Sequence, residues 1–302
     1  MISIIGSGKV GSAIAFLIAA TSLDDIVLVN RHKEKAVGTA LDISNAVSVD
    51  LPVSVIGTDD YSKIKNSEVV IISVSAGIQQ TSRLDLLEQN VVLIKAISKK
   101  IKQYSSESKI LIVTNPLDII TYVFQKAVSY NKEKTIGIAG NLDSSRFRFI
   151  LAKELNTDVR KITNAIVLGE HGDTMVPIFS HARYNGKPVL DFLSTNQIQQ
   201  ITDNVRNYWK ELRKNMVFSV FGIAKNTVDV ARAIIKDEKS SLSASVLLDG
   251  QYGVSDLCLG VPIKISNNGI DKIDEIDLSK SELESLRHSA SVVKNYLTDC
   301  IV

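Results

Sequence analysis

The first thirty residues restrict this chain more than any others. Ile2-Ser3-Ile4-Ile5 is a short apolar run, followed by Gly6-Ser7-Gly8-Lys9-Val10-Gly11. A helical stretch from Ser12 to Ala20 comes next, then a second apolar run, Ile26-Val27-Leu28-Val29. Short apolar runs without alternation read as strands buried on both faces, as in a parallel sheet. Strand, glycine loop, helix and strand, in that order, is what a dinucleotide-binding unit requires; the glycine spacing alone would be weak. Gly6 permits a tight turn, Gly8 lets the backbone approach a pyrophosphate, and Gly11 lets helix and strand pack closely. The free N–H groups of the helix start, around Lys9 and Val10, then face the phosphates.

The second strand ends in Asn30-Arg31-His32. An NAD-selective unit usually places Asp or Glu here to bond the ribose 2′-hydroxyl. Asn30 does not repel a 2′-phosphate, and Arg31 and His32 carry groups that attract one. The expected cofactor is therefore NAD or NADP, with Asn30 and Arg31 deciding between them. The alternative is an Arg31 that only meets water.

The alternation continues through a helix at Glu34 to Ala46 and strands at Val53 to Ile56, Val69 to Val74 and Ile110 to Val113. Between the last two, Leu84, Leu87, Val91, Ile94 and Ile101 mark one face of a long helix. Leu117 to Val128 is helical, and a short strand starts at Thr135. This rhythm predicts an α/β fold: a doubly wound parallel sheet of the Rossmann kind, with ligands gathering where strands end. The rhythm changes near Gly140. Asp143 to Leu155 reads as a helix, Ile178 to Tyr184 and Pro188 to Leu190 as strands flanking a hairpin turn at Asn185-Gly186, and two helices and two strands follow before a last helix capped by Ser279 and Glu282. The expectation is an NAD(P)-binding domain over 1–140 and an α+β substrate-binding, catalytic domain over 141–302. A length of 302 residues suits two lobes, at roughly 100–200 residues per domain.

Bulk properties exclude several classes. Lys+Arg of 35 against Asp+Glu of 33 leaves +2, so no nucleic-acid partner is expected. The run Lys99-Lys100-Ile101-Lys102 reads as the wet side of a helix. Cys258 and Cys300 are too few and too far apart for a disulfide framework or a metal knuckle. Ala13 to Ala20 is too short to span a bilayer, which needs roughly 20 residues. With Met1 leading straight into a strand, a cytoplasmic protein without membrane attachment is expected.

The chemistry concentrates in Leu168-Gly169-Glu170-His171-Gly172-Asp173. Glycines let the backbone turn and leave room beside the imidazole. Histidine has the one unperturbed pKa, about 6.5, suited to proton exchange near neutrality. We read His171 as a general acid/base. Asn141-Leu142-Asp143-Ser144-Ser145-Arg146 places an acid and an arginine three residues apart, on one side of a helix start. Asp143 can fix the tautomer of His171 and stabilise its charged form. Arg146 can fork onto a carboxylate with two parallel hydrogen bonds. A purely structural Asp–Arg pair is the plainer alternative.

Seven pieces in order give the chain a resemblance to the L-lactate/L-malate dehydrogenase family, closest to its archaeal malate dehydrogenase-like members. They are Ile5 to Gly11, Ala76-Gly77, Ser82-Arg83-Leu84-Asp85-Leu86, Thr114-Asn115-Pro116-Leu117-Asp118, Leu142 to Arg148, Leu168 to Asp173, and Gln251-Tyr252-Gly253-Val254. The resemblance implies that His171 and Asp143 form the proton-transfer pair and that Arg146 holds the substrate carboxylate. It implies that Arg83 polarises the reacting carbonyl from a mobile loop. Asn115 would bond near nicotinamide and substrate, and Ala76-Gly77 would line the cofactor. A homodimer or homotetramer is implied as well.

The departures bear on the substrate. Ala76-Gly77-Ile78-Gln79-Gln80-Thr81-Ser82-Arg83 is about three residues shorter than the usual family loop. Malate enzymes carry an extra arginine there for the second carboxylate, and lactate enzymes a glutamine. Gln80 is the nearest match, with Gln79 the other choice. A second carboxylate without its cation loses several kcal/mol, about the 3–5 of a broken buried ion pair. The reading therefore leans to a small L-2-hydroxy monocarboxylate and its 2-oxo acid, the alternative being a malate dehydrogenase with an atypical short loop. Ser219, in Val217 to Ala224, resembles the position lining the substrate side chain. A non-catalytic nucleotide-binding module is the rival from another class. Tyr-x-x-x-Lys spacings, as at Tyr122 and Lys126, recur too often to weigh, and His32, His181 and His288 lack ligand spacing, so no metal is expected.

Overall fold

The computed structural model describes residues 1–49, 51–77, 83–216 and 219–301, without the side chains of 83–86 and 299–301. The chain runs β1 (Ile2–Ile5), α1 (Lys9–Ala20), β2 (Ile26–Val29), α2 (Lys33–Val47), β3 (Val55–Thr58), β4 (Val69–Ile72), α3 (Arg83–Tyr104), β5 (Lys109–Ile112), α4 (Leu117–Val128) and β6 (Thr135–Gly137). It continues with α5 (Gly140–Glu154), β7 (Ile162–Thr163), β8 (Ile166–Leu168), β9 (Val176–Ile178), β10 (Arg183–Tyr184) and β11 (Lys187–Pro188). The last elements are α6 (Thr195–Asn215), α7 (Phe221–Ile235), β12 (Ser240–Asp249), β13 (Ser255–Ser266), β14 (Gly269–Ile273) and α8 (Lys280–Ile301).

The fold separates into two compact units. The first comprises Met1–Ile138, Val220–Ser240 and Ile265–Asp271; the second comprises Ala139–Ser219, Ser241–Lys264 and Lys272–Val302. In the first unit six strands pair in parallel in the order β3-β2-β1-β4-β5-β6. Every residue of β1, β2 and β4 is buried, so these mostly Ile/Val runs are covered on both faces, as the doubly wound reading predicts. The order reverses between β1 and β4, where Ile5 lies beside Ile72. Both strands leave the sheet there, into the glycine loop and into Ser73–Gly77, at the switch point where such sheets take ligands. α7 belongs to this unit because it packs on α1. It buries Ala224, Val228, Ala231 and Ile234 along one stripe.

The second unit abandons the alternation, as the change after Gly140 predicts. β8 and β9 form an antiparallel hairpin, β7, β10 and β11 a small sheet, and most of β12 lies beside most of β13. Its core gathers Phe147 and Leu151 of α5 against Val167, Phe179, Val189, Ile201 and Val205. The Phe147 and Phe179 rings meet edge to face at 5.0 Å. Each fully buried large side chain contributes about 1.5–3 kcal/mol, so this cluster fixes α5 firmly. The Ser279–Glu282 capping box is present, with Ser279 N donating to Glu282 at 2.9 Å. A second box, Ser194 with Gln197, opens α6 and was not foreseen.

Several element boundaries move. The expected strand at Val53–Ile56 lies at Val55–Thr58. The expected strand from Ile178 to Tyr184 is interrupted, because Ala182 N turns back to the Phe179 carbonyl at 3.2 Å while the Phe179 ring enters the core. Lys99, Lys100 and Lys102 are exposed on α3, as expected. Cys258 is buried. Among the described residues no helix is long and apolar enough to cross a membrane, and no cluster of side chains is suited to a metal.

Candidate active site

In the first unit, Gly6 has φ +106°, and a Cβ there would collide with the Ser73 carbonyl across the switch point. A Cβ on Gly11 would collide with the Gly6 carbonyl, so the first turn of α1 sits tight on the loop. Gly8 is different: among the described residues nothing lies within 4 Å of an added Cβ. Its backbone stands open at the first turn of α1, whose leading N–H groups have no partner inside the helix. The loop thus fits a pyrophosphate, with Lys9 exposed and Val10 half-buried beside it.

Asn30 closes the far side of this loop. Its Nδ2 donates to Ser7 Oγ at 2.8 Å, and its Oδ1 accepts from His32 N at 3.0 Å. Arg31 is exposed but does not simply extend into water: its Nε donates to His32 Nε2 at 3.2 Å. A neutral amide and two exposed basic side chains occupy the end of β2.

Two loops of the same unit are joined by a side chain that the sequence reading overlooked. Asn90 of α3 is buried; its Oδ1 accepts from Ala76 N and its Nδ2 donates to the Asn115 carbonyl, both at 2.8 Å. Thr114 Oγ1 adds a bond from Val74 N at 3.0 Å. The exits of β4 and β5, carrying Ala76, Gly77 and Asn115, are therefore one hydrogen-bonded piece. An asparagine between Leu87 and Val91 in an apolar helical stripe was the available signal. Arg83 is the first residue of α3, and its side chain lies outside the described part; Gln79 and Gln80 lie wholly outside it.

In the second unit, His171 sits on the turn between β8 and β9. Its Nδ1 lies 2.6 Å from Asp143 Oδ2 on α5, and Arg146 donates to the other oxygen, Oδ1, at 2.8 Å. Asp143 is 2% exposed and Arg146 9%. An ionised carboxylate only accepts, so beside it the neutral imidazole carries its proton on Nδ1. The Arg146 guanidinium lies over the Tyr208 ring of α6, 5.2 Å from its centre.

This geometry follows from how α5 is tied to β8. Ser144, beside Asp143, donates to the Gly140 carbonyl at 2.6 Å and accepts from Val167 N at 2.9 Å. Ser243 holds the Val167 carbonyl at 2.7 Å. Beyond Leu168, Gly169 takes φ +91° and exchanges backbone bonds with Gly260, at 2.8 and 3.1 Å. The expected open room beside the imidazole is absent at Gly172, because a Cβ there would lie 2.5 Å from Glu170 Oε1. A side chain at 172 would displace the Glu170 carboxylate from this place. Ser219 is half-buried in the segment before α7.

Residues 1–137 match the lactate/malate dehydrogenase NAD binding domain, and 140–301 match the lactate/malate dehydrogenase alpha/beta C-terminal domain. A malate dehydrogenase of Pelagibacter ubique is 39% identical, over 97% of this chain and 94% of the relative. An L-lactate dehydrogenase of Priestia megaterium is 36% identical, again over 97% and 94%. A Cryptosporidium parvum lactate dehydrogenase, solved with lactic acid and nicotinamide adenine dinucleotide, superposes with a TM-score of 0.93 at 34% identity, covering 97% of this chain and 95% of that one.

Proposed function

The chain belongs to the lactate/malate dehydrogenase family and is an NAD-dependent 2-hydroxy acid dehydrogenase; from that premise we propose that its substrate is a small monocarboxylate of the lactate type. The contact that carries the chemistry is His171 Nδ1 to Asp143 at 2.6 Å, with Arg146 on the same carboxylate. In oxidation His171 Nε2 takes the hydroxyl proton. In reduction the protonated imidazole returns it to the carbonyl oxygen while Asp143 stabilises the ring's positive charge. Arg146 forks onto the substrate carboxylate, and Arg83 stabilises negative charge growing on the carbonyl oxygen. Asn115 bonds at the nicotinamide end. When bound, NAD accepts or supplies the hydride.

The preference for a monocarboxylate rests on Gln80, which offers no cation to a second carboxylate, with Ser219 as the residue beside the substrate side chain. A malate-type reading is favoured by the name of the 39%-identical relative. Rates with pyruvate, oxaloacetate and bulkier 2-oxo acids, each with NADH and NADPH, separate them. A higher kcat/KM for oxaloacetate than for pyruvate overturns the monocarboxylate reading. We place the enzyme in the cytoplasm as a homodimer or homotetramer. Phe16 on α1, Leu41 on α2 and Phe221 on α7 are large exposed apolar side chains of the first unit, as an association face needs. A solution mass equal to one chain ends that part of the proposal.

A further inference from the structure

The bond to Asp143 orients the His171 ring through one nitrogen, and the position of that ring also depends on where its backbone is held. Something must hold the backbone that carries the ring. Glu170, just before His171, and Thr174, three residues after it, are both gripped by one closed set of hydrogen bonds. Glu170 N donates to Ser289 Oγ on α8 at 2.8 Å. Ser289 Oγ lies 3.0 Å from Thr174 Oγ1, and the Thr174 hydroxyl donates to Glu170 Oε2. Each hydroxyl has a single proton, and the carboxylate can only accept. Thr174 has given its proton to Glu170, so Ser289 donates to Thr174. The bonds therefore close a ring, from Glu170 N–H through Ser289 and Thr174 back to the Glu170 carboxylate. That carboxylate fills the space against Gly172. Ser289 is fully buried, 119 residues from Glu170 in sequence, and its Oγ would meet a Cβ on Gly169 at 2.7 Å. Arg206 Nε holds the Met175 carbonyl at 2.9 Å, closing the C-terminal end of the turn.

We propose that Ser289, with Thr174 and Glu170, forms a hydrogen-bonded ring that sets the position of the His171 imidazole, making Ser289 a positioning residue for proton transfer. This rests on His171 being the acid/base. The ring does not touch substrate. It brackets His171 on both sides, and its bonds reinforce one another because each hydroxyl both donates and accepts. Proton transfer needs the reacting atoms within hydrogen-bond reach, and a misplacement of about 1 Å can cost on the order of a hundredfold in rate.

The test compares Ser289→Ala, Thr174→Val, Thr174→Ser and His171→Asn with the full-length enzyme, using NADH with pyruvate and with oxaloacetate. Rates are normalised to sites that bind NADH. Ser289→Ala and Thr174→Val should lower kcat about tenfold, leave KM for NADH within about twofold, and raise the solvent deuterium isotope effect on kcat. Thr174→Ser keeps the hydroxyl and should restore both kcat and the isotope effect. A role confined to stability would lower the melting temperature while leaving the isotope effect and kcat per site unchanged, and that result overturns the proposal. If Ser289→Ala does not fold, the Thr174 pair decides alone. An active His171→Asn enzyme defeats the underlying reading. An inactive one beside a Thr174→Val enzyme with unaltered kcat defeats only the ring.

Discussion

Asp143 and His171, 28 residues apart in sequence, meet at 2.6 Å through a carboxylate oxygen and Nδ1. The second oxygen of the same carboxylate serves Arg146. One buried negative charge thus orients both the proton carrier and the cation beside it.

Asp143→Asn keeps the shape and removes the charge. It should lower kcat by roughly three to four orders of magnitude, the scale found when the acid behind a catalytic histidine becomes an amide. It should also destabilise the fold by about 3–5 kcal/mol, because Arg146 is left buried without its counter-ion. Steady-state kinetics and urea unfolding read the two effects separately. A kcat within tenfold of the parent contradicts the assignment.

Arg146→Lys retains the positive charge and loses the fork. KM for the 2-oxo acid should rise by one to two orders of magnitude, at about 1.4 kcal/mol per tenfold, with the NADH dissociation constant unchanged. Equal losses in both constants point to a structural role instead.

Gln80→Arg should move the pyruvate/oxaloacetate ratio of kcat/KM towards oxaloacetate. A buried pair between guanidinium and carboxylate supports a change of at least about tenfold, or 1.4 kcal/mol. An unchanged ratio assigns selection to another residue, Gln79 being the first to try.

Asn30→Asp places a negative charge at the end of β2, where the amide now bonds Ser7 Oγ and His32 N. Repulsion of a 2′-phosphate should raise the NADH/NADPH ratio of kcat/KM. An enzyme already unable to use NADPH would show no change, and would end the expectation of NADP acceptance.

Glu282 is expected to contribute to the change in stability at acid pH. Partial burial pushes its pKa up, but hydrogen bonds from Ser279 and Ser180 outweigh this and hold it below the ordinary glutamate value. The folded value is depressed, so its contribution is fully present above the unfolded pKa, about 4.3, and is lost as pH falls through the folded one. Glu282→Gln should lower the melting temperature near neutrality and flatten its decline at acid pH. Parallel melting curves for parent and variant argue against this role.

Much of this was legible in the chain itself. β1, β2 and β4 announce themselves because β-branched residues fill both faces, and the glycine loop follows at the required place. His171, Asp143 and Arg146 were readable because each is a reactive residue at a turn or helix start. Asn90 and Ser289 were not, although both matter to the site's geometry. Their partners are mostly backbone groups, which every sequence supplies, and Ser289 reaches Glu170 from 119 residues away. The short β7, β10 and β11 were only partly visible, since two-residue strands carry too few side chains for a pattern. The return of Val220–Ser240 to the first unit was likewise hidden, because an amphipathic stripe does not say which helix it will meet.

That return has a practical side. A fragment stopping at Ile138 would leave α1 stripped of α7, the helix that packs on it. Such a half-molecule should clump when expressed alone. Grafting residues 220–240 back through a short linker would be the remedy to try before concluding that the nucleotide-binding half cannot live by itself.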